Sequence, residues 1–449
     1  MSLDQVLLMV YVVAPFLAAV VPWPSRLRGG LVTFGSAVSI LRVLALVLLS
    51  GTVISHAGRV VVSGTLVNGY PLEIILSLDA YRYGFLVTAE LCFLLAHWMS
   101  PPSATNGTLV RMLISLVQGF CALVLISDNS VVTGALQILS AAAFFYLVRF
   151  SIGGEKGEIA VSVSRRMYAL YFLLGLTMMG WGILEFGHKD LLFSKAPGSS
   201  PGAIVWLAML FLAVPISPWS RWFDQAVENL PEGVTIAIAV FVAAVALKFA
   251  NLFGLVYPEL NGNQKLILYI LGLVGCIFSL GGLFAAKTRR KLLGSLPGFF
   301  LSLILVAVGV SKSSLVISAY FACLFLPAFT ALVLYASAVR VTGPIQKAFV
   351  ALLLAMVIGL PGTPVYLIFS GIGARSLDMG VAYTLVFVLI WFFYFGANVY
   401  SCRRIFMDRN QPEAGAVSDL ETGPVSFAGY GIFLMIFLVL VTQLAWRVL

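Results

Sequence analysis

Apolar residues in this chain come in unbroken runs of about twenty, separated by short clusters of charge, glycine and proline, with no wet face recurring at helical spacing. A bilayer core of about 30 Å is crossed by about 20 apolar residues of helix, so each run predicts one membrane span. Fourteen are predicted, at 6–22, 31–54, 80–98, 108–126, 130–150, 167–186, 203–218, 233–256, 265–286, 292–311, 314–337, 346–371, 381–400 and 428–448. The expected fold class is an all-α polytopic membrane protein. The longest gaps, 55–79 and 401–427, leave little room for a soluble domain.

Composition sharpens this. Of 449 residues 61% are hydrophobic and 10% charged, whereas a soluble domain is about one quarter charged. The net charge of +9 would suggest nucleic acid in a soluble protein. Here it anchors topology, and no nucleic-acid partner is expected. Sixteen Lys and Arg residues fall in loops after odd-numbered spans and seven on the opposite side. Basic residues collect on the inner side, so both termini should face outward. A bacterial inner (plasma) membrane is the expected location and an organelle inner membrane the alternative. The start, with Asp4 in place of a basic stretch, reads as a first membrane helix and not as a removed signal.

Two spans carry the same interruption. Pro215 and Pro218 lie in FLAVPISPW, and Pro361 and Pro364 in VIGLPGTPV. Proline removes a backbone donor and clashes with the preceding turn, and a membrane helix accommodates this where protein or a wet cavity satisfies the freed carbonyls. Spans seven and twelve are therefore expected to be discontinuous. Their separation by five predicts two five-helix units, spans four to eight and nine to thirteen, the second inverted because an odd unit re-enters from the other side. Paired broken helices in an inverted repeat point to an ion or substrate path. The expected organisation is three N-terminal helices (1–107), a first unit (108–260), an inverted second unit (261–405), and a cytoplasmic loop with the last helix (406–449).

Ionisable groups inside a membrane are expensive and mark functional candidates. Lys248 is placed mid-span in helix eight with Asn251 on the same face, where it either holds an exchangeable proton or pairs with Glu90, the one carboxylate deep in a span. Gln118 and Gln137 are candidates to line water or to bond between helices. Arg42, Arg82 and Arg111 read as anchors whose heads snorkel to the surface. The five cysteines and three histidines form no cluster with metal-ligand spacing, and no phosphate loop, dinucleotide fingerprint or nucleophile elbow occurs. No metal site and no covalent or redox chemistry is expected of this chain alone.

In order along the chain, SLDAYRYGFLV (77–87), VPISPW (214–219), FDQAVENLPEGV (223–234) and IGLPGTPVYLIFSG (358–371) resemble stretches of the antiporter-like membrane subunits of respiratory complex I (NADH-quinone oxidoreductase), Mrp-type sodium/proton antiporters and membrane-bound hydrogenases. The resemblance implies a subunit of an energy-converting assembly with other membrane subunits and lipid as partners. Quinone, Fe–S clusters or flavin would enter only through those partners.

The resemblance also implies a titratable chain that this sequence lacks. Gln137 lies close to where the family has a glutamate, the span-seven lysine falls near Leu210, and the span-twelve ionisable group falls near Phe369. Only Lys248 matches a family lysine. The expected role is a scaffold or an altered ion path through Glu90 and Lys248. The rivals are an autonomous cation/proton transporter and the membrane component of an inorganic-carbon uptake system.

Overall fold

The computed structural model describes residues 2–20, 34–55, 60–65, 73–99, 107–152, 157–186, 221–256, 262–310, 326, 329–330, 351, 354–361 and 363–403. The helices are α1 (Leu3–Val20), α2 (Phe34–Ser50, continued by a π-helical turn Gly51–Ser55), α3 (Ala80–Trp98), α4 (Gly107–Ile126), α5 (Ser130–Ser151) and α6 (Gly157–Phe186). They continue with α7 (Arg221–Asn229), α8 (Glu232–Val256), α9 (Gly262–Ala285), α10 (Arg289–Val310), α11 (Pro364–Ser376) and α12 (Val381–Cys402).

Eight of these, α1, α2, α4, α5, α6, α9, α10 and α12, are long and apolar enough to cross a membrane. The chain is a multi-pass membrane protein, and its described residues are helical with one local departure. Between α2 and α3, where the sequence predicts only a loop, β1 (Val60–Thr65) and β2 (Glu73–Leu78) form an antiparallel pair with Val60 opposite Leu78 and Thr65 opposite Glu73. The run VVVSGT and the run EIILSL carry the β-branched residues that favour strands.

Burial sorts the helices into core and lipid-facing layers. In α10, 89% of the span is buried, against 39% in α1, α6 and α12, and α8 is buried on every side from Val234 to Lys248. The outer helices expose rows of Leu, Val and Phe, among them Leu385, Leu389, Phe392 and Phe393 on α12, as a hydrocarbon solvent requires. Two helix pairs meet through glycine. A Cβ on Gly134 of α5 would lie 2.6 Å from the carbonyl oxygen of Gly175 on α6, and one on Gly309 of α10 would lie 2.7 Å from the backbone nitrogen of Tyr269 on α9. Small residues let membrane helices approach to backbone contact.

Short α7 is amphipathic. Trp222, Phe223, Ala226 and Val227 are buried and Glu228 is exposed. Asp224 packs beside Gly294 of α10, where an added Cβ would come within 3.4 Å of the Asp224 Cα. Burial raises its carboxyl from 3.8 to about 7, with Glu228 adding to the shift and Lys291 opposing it.

Candidate functional site

The first polar constellation ties α1 to α4. The Arg42 guanidinium on α2 lies 2.9 Å from Oε1 of Glu90 on α3, and the two side chains are 0% and 1% exposed. The Tyr11 hydroxyl on α1 donates to the same oxygen at 2.9 Å, while Arg42 sits 4.0 Å over the Tyr11 ring. On the other carboxylate oxygen, Gln118 Nε2 of α4 donates at 2.6 Å, and it also reaches Ser39 Oγ at 2.9 Å. The Gln118 oxygen in turn lies 3.4 Å from Nε2 of His97. Gly35 makes room for the imidazole, since a Cβ there would stand 2.5 Å from the His97 ring.

This arrangement corrects two expectations. Glu90 pairs with Arg42 and not with Lys248, and Arg42 is no snorkelling anchor. Residue 42 is near the midpoint of its span, too deep for its guanidinium to reach water, so the buried carboxylate of Glu90 is its counter-charge. Gln118 takes its expected place as a bond between helices. A buried pair that loses one partner is left with an uncompensated charge, at a cost of about 3–5 kcal/mol. The constellation as it stands is charge-balanced and locks four helices together.

The second constellation surrounds the Ser127–Asn129 turn between α4 and α5. Arg82, also expected to be an anchor, is buried: its guanidinium donates to the Ser77 carbonyl at 2.8 Å and lies 3.3 Å from Asp128 Oδ1 and 3.5 Å from Asp79 Oδ2. Asp79 caps α3 by accepting from the Arg82 backbone N–H, and Asn129 caps α5 by accepting from Val131 and Val132. The hairpin clamps the turn, with the Asp128 N–H donating to the Ile75 carbonyl at 2.9 Å. Asp128 was missed in the sequence because SDNS reads simply as a loop.

Lys248 belongs to this second group. Its ammonium donates to the Leu125 carbonyl at 3.3 Å and to the Ser127 carbonyl. It therefore meets the C-terminal carbonyls of α4, where the helix dipole favours a cation. Asn251 is on the same helix, and its side chain lies outside the described residues.

Gln137 is fully buried on α5, and neither Nε2 nor Oε1 has a hydrogen-bond partner among the described residues.

The break in span twelve is where the sequence puts it. Helical residues 354–358 give way to Gly359, at φ +80°, and α11 restarts at Pro364 with Thr363 as its N-cap. Pro361 has no N–H for the Val357 carbonyl four residues back, and the Tyr394 hydroxyl of α12 donates to that oxygen instead at 2.5 Å. Pro364 frees the Leu360 carbonyl in the same way, and the Thr363 N–H at 3.0 Å and hydroxyl at 2.6 Å take it up. Phe369, where the resemblance would put an ionisable group, stacks on Trp391 with ring centroids 5.3 Å apart. Pro215, Pro218 and Leu210 lie outside the described residues. No group of three metal-ligating side chains occurs among the described residues.

No protein-family model matches the sequence, and no curated protein matches it significantly. Solved structures do. A chain of the Mrp complex from Dietzia sp. superposes with a TM-score of 0.82 at 14% identity, covering 100% of this chain and 97% of that one. A chain of the membrane-bound sulfane sulfur reductase, an archaeal respiratory membrane complex, gives 0.75 at 15% identity over 97% of this chain and 75% of that one. A chain of respiratory complex I from Thermus thermophilus gives 0.73 at 15% identity over 99% and 98%. The chain shares the fold of these membrane subunits over its whole length.

Proposed function

We propose that this protein is an antiporter-like membrane subunit of a multisubunit, energy-converting complex, in which it acts mainly as a scaffold and carries no complete proton relay of its own. The observation that carries the reading is how its buried charges are held. Glu90 is neutralised by Arg42, and Lys248 lies on the carbonyls that end α4. The positions where the resemblance would put titratable groups hold the amide of Gln137 and the aromatic ring of Phe369. A relay needs groups that take up and release protons in turn. An amide does not titrate at ordinary pH, and a stacked phenyl ring has no proton to give.

The whole-length likeness to chains of assembled complexes supports the partner side of the reading. In such an assembly any flavin, Fe–S cluster or quinone chemistry belongs to other subunits. The test is reconstitution of the purified chain in liposomes with an imposed pH gradient. The expected result is no cation-coupled proton flux above that of protein-free vesicles. Saturable, cation-dependent flux would overturn the scaffold reading in favour of an autonomous transporter.

A further inference from the structure

The antiparallel helices α5 and α6 carry three arginines at one height. Phe145 of α5 meets Tyr168 of α6 with ring centroids 5.8 Å apart. Continuing that register by four residues brings Arg149 level with Ser164, so Arg149, Arg165 and Arg166 lie within about 3 Å of one another along the helix axes. All three are exposed, and none forms an ion pair with a described carboxylate. Glu158 of α6 precedes Arg165 by seven residues, about 10 Å of helix, which is past the reach of an ion pair.

These arginines mark where hydrocarbon begins. Residues 130–148 of α5 and 167–184 of α6 hold no charge, and the two stretches measure about 28 Å and about 27 Å, close to the roughly 30 Å of a bilayer core. Arg149 is the first charge past the one stretch, and Arg165 and Arg166 are the last before the other. The outward surface beside them is layered. Tyr146 and Tyr168 are 49% and 38% exposed, at the level where amphipathic rings form an interfacial belt. One turn deeper the outward positions hold only Ala142, half-buried, and Ala169, exposed, so the surface dips. Below the dip Leu139 and Leu173 are 52% and 45% exposed.

Cations in loops suffice to set topology. Here the cations stand on the outward faces of two packed helices, directly above an apolar trough, and the charge that complements them must arrive at headgroup height with an apolar tail. We propose that this ledge binds an anionic phospholipid, its phosphate held between Arg149 and Arg165 and one acyl chain lying in the trough over Ala142 and Ala169. A guanidinium presents paired N–H donors that match two phosphate oxygens, and basic sites between membrane helices bind anionic headgroups. Arg166, about 100° further round α6, adds to the positive field from the next face. The site is built from α5 and α6 alone and stands whether or not the chain works as a scaffold.

Lipid retention tests it. The purified full chain in mild detergent is titrated with phosphatidylglycerol or with phosphatidylcholine, and bound lipid is counted by native mass spectrometry. Phosphatidylglycerol should be held about tenfold more tightly. Arg149→Gln combined with Arg165→Gln should abolish that preference, while Arg375→Gln, at an exposed arginine on α11, should keep it. Equal retention of the two lipids, a preference that survives the double change, or the same loss from Arg375→Gln would overturn the proposal. A photoactivatable phenylalanine in place of Tyr146, illuminated in the native membrane, tells a lipid from a protein occupant. An adduct of phospholipid mass is expected, and an adduct to another polypeptide would overturn the lipid assignment.

Discussion

Arg42 and Glu90 lie 2.9 Å apart with both side chains out of reach of solvent, and the pair joins α2 to α3 at the centre of a bond network that also holds α1 and α4. Removing one charge should therefore be worse than removing both. Arg42→Leu is expected to destabilise the detergent-solubilised protein by about 3–5 kcal/mol, while Arg42→Met combined with Glu90→Gln recovers most of the loss. Thermal unfolding of the two variants beside the unaltered chain checks this, and equal damage from the single and double changes would contradict it.

The ammonium of Lys248 serves the end of α4, so Lys248→Ala should lower stability and yield of the assembled complex more than it lowers the number of ions moved per turnover in whatever complex survives. Membrane-vesicle transport normalised to the amount of intact complex separates the two. Normal assembly with abolished pumping would show that the lysine carries protons.

Tyr394 replaces the backbone donor that Pro361 lacks. Tyr394→Phe keeps the stacking on Phe299, at 4.4 Å between centroids, but leaves the Val357 carbonyl buried and unmet. The expected loss is about 1–3 kcal/mol, read as a lower thermal midpoint. An unchanged midpoint would mean that the break in span twelve needs no support from α12.

Asp224 gives the junction of α7 and α10 a dependence on pH. Its carboxyl is raised from 3.8 to about 7 by burial and by Glu228, against Lys291. The folded state thus holds this proton more tightly than the unfolded chain, so its contribution to stability falls as pH rises from about 4 to about 7 and is flat above. The difference in thermal midpoint between Asp224→Asn and the unaltered protein should widen in the variant's favour across that window. A difference independent of pH would contradict the assignment.

Much of this was legible from residue order. Runs of twenty apolar residues match the length of a membrane helix, and Pro361 and Pro364 dictated a break that the structure places after residue 358, with α11 restarting at Pro364. The pairing of charges was harder to read. Periodicity puts Glu90 and Lys248 inside the bundle, but which cation meets which carboxylate depends on helix packing that no local pattern encodes. The depth of Arg42 was the overlooked clue, because a guanidinium near the midpoint of a span needs a buried counter-charge. Asp128 escaped for the opposite reason: a polar turn between spans suggests solvent, and here β2 and Arg82 cover it. The hairpin itself was hidden in a gap read only as loop.

The most direct measurement is purification of the tagged chain from its native membrane in mild detergent, followed by mass spectrometry of what remains bound. The account predicts a stable particle well above 48.4 kDa that contains several other membrane subunits at fixed stoichiometry. A stable, monodisperse single chain would contradict it.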